Sequence, residues 1–395
     1  MSQRLRVVFA MPDLQDVGVQ RVVRGLLTRW DRAAFELSVL VHKREGTLAK
    51  TYAPDVPIIE VDKLVPDVRG VRIATRVLGY ARAYRRLKPH AVLSMTPYSN
   101  LASVMARPLS GQGFGLVVSE HAHVTASLRD QSAFGTGFRT FYTRMFPSMY
   151  ARAEIVKAIA QESLDDLADV HGVPRAKLRL VPDPLDVQGL VALGKETPAH
   201  PWCAPEERAK VPLISILGRL APQKRHDLLL QAFALVRKER PARLAIVGRG
   251  PELESLRALA RSLGVDADVA FLGFQENAHA ILAHSEVFAL SSDWEGLPAV
   301  LLEAMALGTP VVSTRCPSGP NEILAGGQYG LLVPVNDAGA LARGLLEVLS
   351  NPQAAKARAQ AGFASLTRFD PQAITLRYQE LARDAVRLYG ARTMR

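Results

Sequence analysis

The chain has 395 residues, 48% of them hydrophobic, which suits two or three domains with large cores and excludes a disordered or low-complexity chain. Its two cysteines, Cys203 and Cys316, provide no disulfide framework, so a reducing cytoplasm is the expected setting. The net charge of +11 leaves three kinds of partner: nucleic acid, an anionic membrane surface, or phosphorylated small molecules.

Taken from the start, the apolar run 5–11 is too short for a secretory segment and reads as a buried strand. Further β-rich runs, at 36–41, 58–61, 91–95, 116–119, 155–160 and 178–181, alternate with helical patterns such as 19–30, 69–87 and 163–171. The longest uncharged stretch, 89–106, contains Pro97, Asn100 and several hydroxyls, so it is not a membrane span. In the second half, strands are expected at 213–217, 244–247, 269–272, 287–290, 311–314 and 330–333, with helices at 227–237, 252–263 and 298–307. Alternating β and α implies parallel sheets covered by helices, and two such series imply two Rossmann-like α/β domains. The expected division is a domain over 1–185, a proline- and glycine-rich linker over 186–212, a second domain over 213–368, and a terminal helix within 369–395. A central cleft between the two domains is the default ligand site, because the carboxyl ends of parallel strands and the helix N-termini point there.

The stretch DWEGLPAVLLEAMALGTPVV (293–312) places Glu295 in a loop and Glu303 inside an apolar run. A carboxylate among apolar neighbours is costly unless its charge or its oxygens are compensated. Pro298 suits the first helical position, and Gly308 the position just past the helix end. The helix follows strand 287–290 and so opens at the carboxyl edge of the sheet, where free N–H groups and the helix dipole attract anions. Glu303 lies about 7–8 Å along it. A nucleotide-sugar has parts in the same order. Its diphosphate would rest on Gly296, Leu297 and Pro298, with Glu295 on sugar hydroxyls and Glu303 on the ribose. Against this stands a solvated Glu295 and a Glu303 that reaches toward water.

This segment resembles the E-x7-E signature of retaining glycosyltransferases with the GT-B fold, family four. The likeness continues through LGRLAPQKRHDLLLQAF (217–233), VGRGPE (247–252), FLGF (271–274), CPSGPNEIL (316–324) and GLLVPVND (330–337). It is looser in the first half, through GVQRVVRGLL (18–27), SEHAH (119–123) and LVPDPLD (180–186). The resemblance assigns Arg219 and Lys224 to the donor phosphates. Two cations after strand 213–217 can neutralise a departing diphosphate, with no metal required. The turn through Gly248 and Gly250 is expected to bring backbone close to a base or ribose, with Arg249 and Phe274 flanking the base, and Gly18 to let backbone approach the donor phosphate or the acceptor. His121 resembles the family's active-site histidine, beside the reacting sugar; His123 is a weaker candidate. The expected catalytic set is therefore Glu295, His121, Arg219 and Lys224. The terminal helix is expected to cross back to the first domain. The chain departs from the family where Val17-Gly18 replaces two glycines, where Gln20 replaces a common glutamate, and where Asp183 replaces a frequent asparagine. Asp266–Asp268 reads as a surface loop at the amino edge rather than a metal-binding D-x-D.

Residues 69–88 carry seven cations (Arg69, Arg72, Arg76, Arg82, Arg85, Arg86, Lys88) and no acid, and 134–150 interleaves Phe138, Phe141, Tyr142 and Phe146 with Arg139 and Arg144. Either these are ordinary solvated faces or they meet anionic lipid, at roughly 1 kcal/mol per cation. No nucleic-acid recognition motif accompanies the charge. The resulting expectation is an enzyme moving a hexose or N-acetylhexosamine from a nucleoside diphosphate sugar, UDP ahead of GDP. The acceptor would be a glycan or lipid-linked molecule in cell-surface polysaccharide or lipopolysaccharide assembly. The expected place is the cytoplasm, at the inner face of the plasma membrane. A nucleotide-sugar epimerase of the same fold and a non-catalytic, membrane-associated binding subunit are the rival readings.

Overall fold

The computed structural model describes residues 4–15, 18–65, 72–130, 136–198 and 200–393. It divides into two compact units: Met1–Leu128, Phe134–Pro184 and Phe369–Arg395 form one, Arg129–Ala133 and Leu185–Arg368 the other, within the described residues.

The first unit is built on a seven-stranded parallel sheet, β1 (Leu5–Met11), β2 (Phe35–Val41), β3 (Ile58–Glu60), β4 (Ala91–Ser94), β5 (Gly115–Glu120), β6 (Ile155–Ala158) and β7 (Leu178–Leu180). The order across the sheet is β3-β2-β1-β4-β5-β6-β7. Its strands are apolar on both faces, as a sheet covered by helices on each side requires. Alternation sorts them: Val8, Ala10, Leu40, Val92, Leu116, Val118 and Val156 enter one core, and Val7, Phe9, Met11, Val39, Leu93, Val117 and Ile155 the other.

The terminal helix Pro371–Thr393 packs on this second face through Ile374, Tyr378, Leu381, Ala382 and Ala385. Each large apolar side chain among them contributes roughly 1.5–3 kcal/mol by burial. Gly115 makes that approach possible, because a Cβ there would lie 2.3 Å from the Ala385 carbonyl oxygen.

The second unit holds a six-stranded parallel sheet, β8 (Leu213–Leu217), β9 (Arg243–Val247), β10 (Val269–Gly273), β11 (Val287–Leu290), β12 (Val311–Thr314) and β13 (Leu331–Val333). The order is β10-β9-β8-β11-β12-β13. Every expected strand forms, with ends shifted by two residues at most. In each sheet the strand order reverses beside the first strand, between β1 and β4 and between β8 and β11. Loops that leave the carboxyl ends there diverge and open a crevice.

The interval 186–212 is not the free linker its proline and glycine content suggested. It carries helices Val187–Gly194 and Pro205–Lys210 and belongs to the second unit. Asp186 caps the first helix by accepting from Gly189 N at 3.1 Å, and Pro205 stands in the first turn of the other. Gly194 lies where a Cβ would meet Leu307 at 2.5 Å. Here glycine and proline mark helix ends and a close contact rather than flexibility. Among the described residues no helix is long and apolar enough to cross a membrane.

Candidate functional site

At the carboxyl edge of the second unit, backbone and side-chain bonds zip the loops after β8 and β11 together. Asp293 N donates to Gln223 O at 2.9 Å, Gln223 Nε2 to Trp294 O at 2.8 Å, and Ser291 Oγ to Lys224 O at 2.8 Å. This brings Lys224 Nζ within 2.6 Å of Glu295 Oε1, which also accepts from Ser292 Oγ at 2.6 Å. The two side chains are 18% and 7% exposed, so the ammonium keeps a path outward while the carboxylate is nearly sealed. A charge-assisted bond of this length is among the stronger kinds.

Gly296, Leu297 and Pro298 follow, braced from the loop after β12. Ser318 Oγ donates to Gly296 O at 2.8 Å, and at Gly319 (φ 97°) a Cβ would meet Pro298 Cδ at 2.5 Å. The helix itself runs Ala299–Ala306, one residue later than expected. Pro298 has extended backbone (ψ 102°) and is the cap residue, not the first helical one. No side chain caps this end among the described residues. Gly308 adopts φ 70° just past the other end, as expected.

Glu303, within this helix, is partly exposed and lies 3.3 Å from His279 Nε2, an ionic contact when His279 is protonated. Arg219 is exposed and makes no hydrogen bond or ion pair among the described residues. Arg249 and Phe274 meet each other: the guanidinium lies 5.6 Å from the ring centroid, and the ring is 56% exposed. They form one exposed cation–π face rather than two separate walls.

The glycines of GRGPE also hold their loop against a neighbouring one. A Cβ at Gly248 (φ 144°) would lie 1.9 Å from Gly218 O, and one at Gly250 2.1 Å from Leu220 O. Both let the loops after β8 and β9 run backbone to backbone. The sequence reading overlooked Arg225, whose backbone is left-handed (φ 49°) and whose guanidinium binds Asp227, Asp293 and Asn336. It ties three loops of this edge together. His226 is fully buried; desolvation and the Lys224 charge lower its pKa to about 4. Asp268 of the D-x-D look-alike pairs with Arg237 at 2.7 Å, and no cluster fit to hold a metal occurs among the described residues.

In the first unit, His121 follows β5. Its Nδ1 lies 3.1 Å from Asp183 Oδ2, and its Nε2 is buried with no partner among the described residues. Lys157, fully buried on β6, donates to Asp183 Oδ1 at 3.3 Å and to the hydroxyl of Tyr378 on the terminal helix. Burial alone would raise the Asp183 carboxyl, but His121 and Lys157 outweigh it and hold the group well below the usual range. Burial lowers His121, against the pull of Asp183. The departure at 183 is thereby accounted for: a sealed ammonium requires an anion beside it.

Gly18 opens helix Gly18–Arg29 with no described atom within 4 Å of a Cβ placed there. Gln20 donates to Asp13 at 2.8 Å. His123 lies 3.6 Å from Asp166 and accepts from Ala126 N, a local structural role.

Of the basic helix, Arg72–Leu87 is described; Arg82 donates to Leu64 O, and Arg85 to the carbonyls of Leu109 and Ser110. Arg69 and Val17, and the side chains of Arg72, Phe138, Arg139 and Phe141, lie outside the described residues. Tyr142 and Phe146 are core residues, packed edge to face at 4.4 Å.

Residues 17–188 match the family model described as Glycosyltransferase Family 4, and residues 204–364 the model described as Glycosyl transferases group 1. The chain is 26% identical over 322 residues to a Campylobacter jejuni enzyme, N-acetylgalactosamine-N,N'-diacetylbacillosaminyl-diphospho-undecaprenol 4-alpha-N-acetylgalactosaminyltransferase, covering 82% of each. It is 35% identical over 174 residues to the lipopolysaccharide core biosynthesis glycosyltransferase LpsE of Rhizobium meliloti, 44% of this chain and half the length of that one. Among solved structures, Anabaena HepE in complex with UDP and glucose superposes with a TM-score of 0.76 at 19% identity, over 95% of this chain and 99% of that one. With both halves matched and the two-sheet architecture shared end to end, this protein belongs to the GT-B glycosyltransferases of family four.

Proposed function

We propose that the protein transfers a hexose or N-acetylhexosamine from a UDP-sugar to a glycan or lipid-linked acceptor in cell-surface polysaccharide assembly, with retention at the anomeric carbon. The observation that carries this reading is the nearly buried Glu295 carboxylate held at 2.6 Å by Lys224, beside a helix end that no side chain caps among the described residues. In this reading Lys224, Arg219 and the helix end at Leu297–Pro298 take the diphosphate. Glu295 grips the sugar and Glu303 the ribose, while Arg249 and Phe274 meet the base. The leaving diphosphate takes the acceptor proton, so the step needs no metal and no separate base. His121 serves a substrate hydroxyl. The UDP- and glucose-bound HepE structure and the undecaprenol-linked substrate in the name of the Campylobacter relative favour these donor and acceptor classes. The basic helix Arg72–Leu87 is the surface that would meet anionic lipid at the inner membrane face.

The test incubates the protein with UDP- and GDP-sugars, with and without lipid-linked acceptor and with a chelator present. Slow donor hydrolysis with UDP-sugars, transfer to acceptor with the α-configuration kept by NMR, and loss of both in Glu295→Ala are expected. An epimerised donor without acceptor, or inversion in the product, would overturn the reading.

A further inference from the structure

Four side chains from four separate parts of the first unit meet at one point: His121 after β5, Lys157 on β6, Asp183 after β7, and Tyr378 on the terminal helix. Lys157 is completely buried, with its ammonium 4.7 Å from the Tyr378 ring centroid and bonded to that residue's hydroxyl. Tyr378 in turn donates to Asp183 Oδ1 at 3.3 Å. One carboxylate oxygen is thus occupied by Lys157 and Tyr378, while the other, Oδ2, faces His121 Nδ1.

An ionised carboxylate only accepts hydrogen bonds. The proton of a neutral His121 therefore resides on Nδ1, and Nε2 carries the lone pair. That is the reverse of the tautomer imidazole prefers in water. Nε2 is the atom that is buried with no partner among the described residues, and a buried acceptor without a donor is costly unless a ligand supplies one.

We propose that Asp183 is a positioning residue which, ionised and bonded on Oδ1 by Lys157 and Tyr378, holds His121 as the Nδ1–H tautomer, so that Nε2 accepts a hydrogen bond from a substrate hydroxyl. This rests on the functional reading above for the identity of the substrate as a sugar, but not for the tautomer. It also gives the terminal helix a task beyond packing: its Tyr378 hydroxyl completes the charge chain behind the histidine. An asparagine at 183 could hold the ring as well, through its amide oxygen, but could not offset the buried Lys157 charge. The carboxylate and the lysine therefore belong together in this chain.

The test labels histidine with 15N and reads the two ring nitrogens of His121 at pH 7.5 by long-range proton–nitrogen correlation, assigned by difference with His121→Asn. Wild type should show a protonated Nδ1 and an unprotonated Nε2. Asp183→Leu alone strands Lys157 and is expected to misfold. The informative variant is therefore Asp183→Leu with Lys157→Met, which should fold and switch His121 to the Nε2–H tautomer. Its kcat should fall about 10–100-fold, the worth of one good hydrogen bond, with KM for the donor within about threefold. Asp183→Asn combined with Lys157→Met, which leaves no unpaired buried charge, should keep the tautomer and most of kcat. A wild-type His121 found as Nε2–H or as imidazolium would overturn the proposal. So would a double variant that retains wild-type kcat and tautomer. If no UDP- or GDP-sugar is turned over at all, the functional reading fails, while the nitrogen spectrum still decides the tautomer.

Discussion

Replacing Lys224 by methionine removes the cation from the Lys224–Glu295 pair while keeping most of the apolar stem. Glu295 is 7% exposed and, among the described residues, would then keep only the Ser292 hydroxyl at 2.6 Å. Breaking a fully buried pair costs about 3–5 kcal/mol; the 18% exposure of Lys224 admits some water and brings the expectation to about 2–3 kcal/mol. For a unit of this size that lowers Tm by about 5–10 °C. Glu295→Gln in the same background should recover about half the loss, because no unpaired charge is left, so the two substitutions couple by about 1–2 kcal/mol. Calorimetric unfolding of wild type, both single variants and the double variant gives the cycle. The same Lys224→Met protein should bind UDP about 10–100-fold more weakly by titration calorimetry, the worth of a lost charge-assisted bond. Additive effects within 0.3 kcal/mol would refute the ion pair, and UDP bound as tightly as by wild type would refute the role of Lys224 at the diphosphate.

Gly250→Ala places a methyl 2.1 Å from the Leu220 carbonyl oxygen, so the loops after β8 and β9 must part; about 1–3 kcal/mol of destabilisation and weaker UDP binding are expected, checked by calorimetry. Glu120, buried against Asn100, Tyr142 and Tyr150, has its pKa raised to about 7, chiefly by desolvation. The folded state therefore holds a proton that the unfolded chain releases near pH 4.5. The stability from this group is full below pH 4.5, declines as pH rises to about 7, and is then flat, a loss of about 3 kcal/mol across the window. Glu120→Gln should abolish that decline in urea melts taken from pH 4.5 to 8; a decline that persists in the variant would show the proton sits elsewhere.

The thirteen strands among the described residues could be located from the sequence because buried parallel strands are near-continuous apolar runs, a signal contained in a few neighbouring residues. The same locality made Glu295, Pro298 and Gly308 visible together, since a loop acid, a helix start and a helix stop fall within one short stretch. It also misread 186–212, where prolines in first helical turns and a glycine at a helix's last residue resemble those of a tether.

Which side chains meet was a different matter. Lys224 finds Glu295 because β8 and β11 are neighbours in the sheet although two strands lie between them in the chain. Asp183 finds His121, Lys157 and Tyr378 because β5, β6 and β7 are adjacent and the terminal helix returns to the first sheet over Gly115. Periodicity reports only the surroundings of each segment. Pairings between distant segments follow from strand order and from how closely a helix can approach, and those are settled when the cores pack.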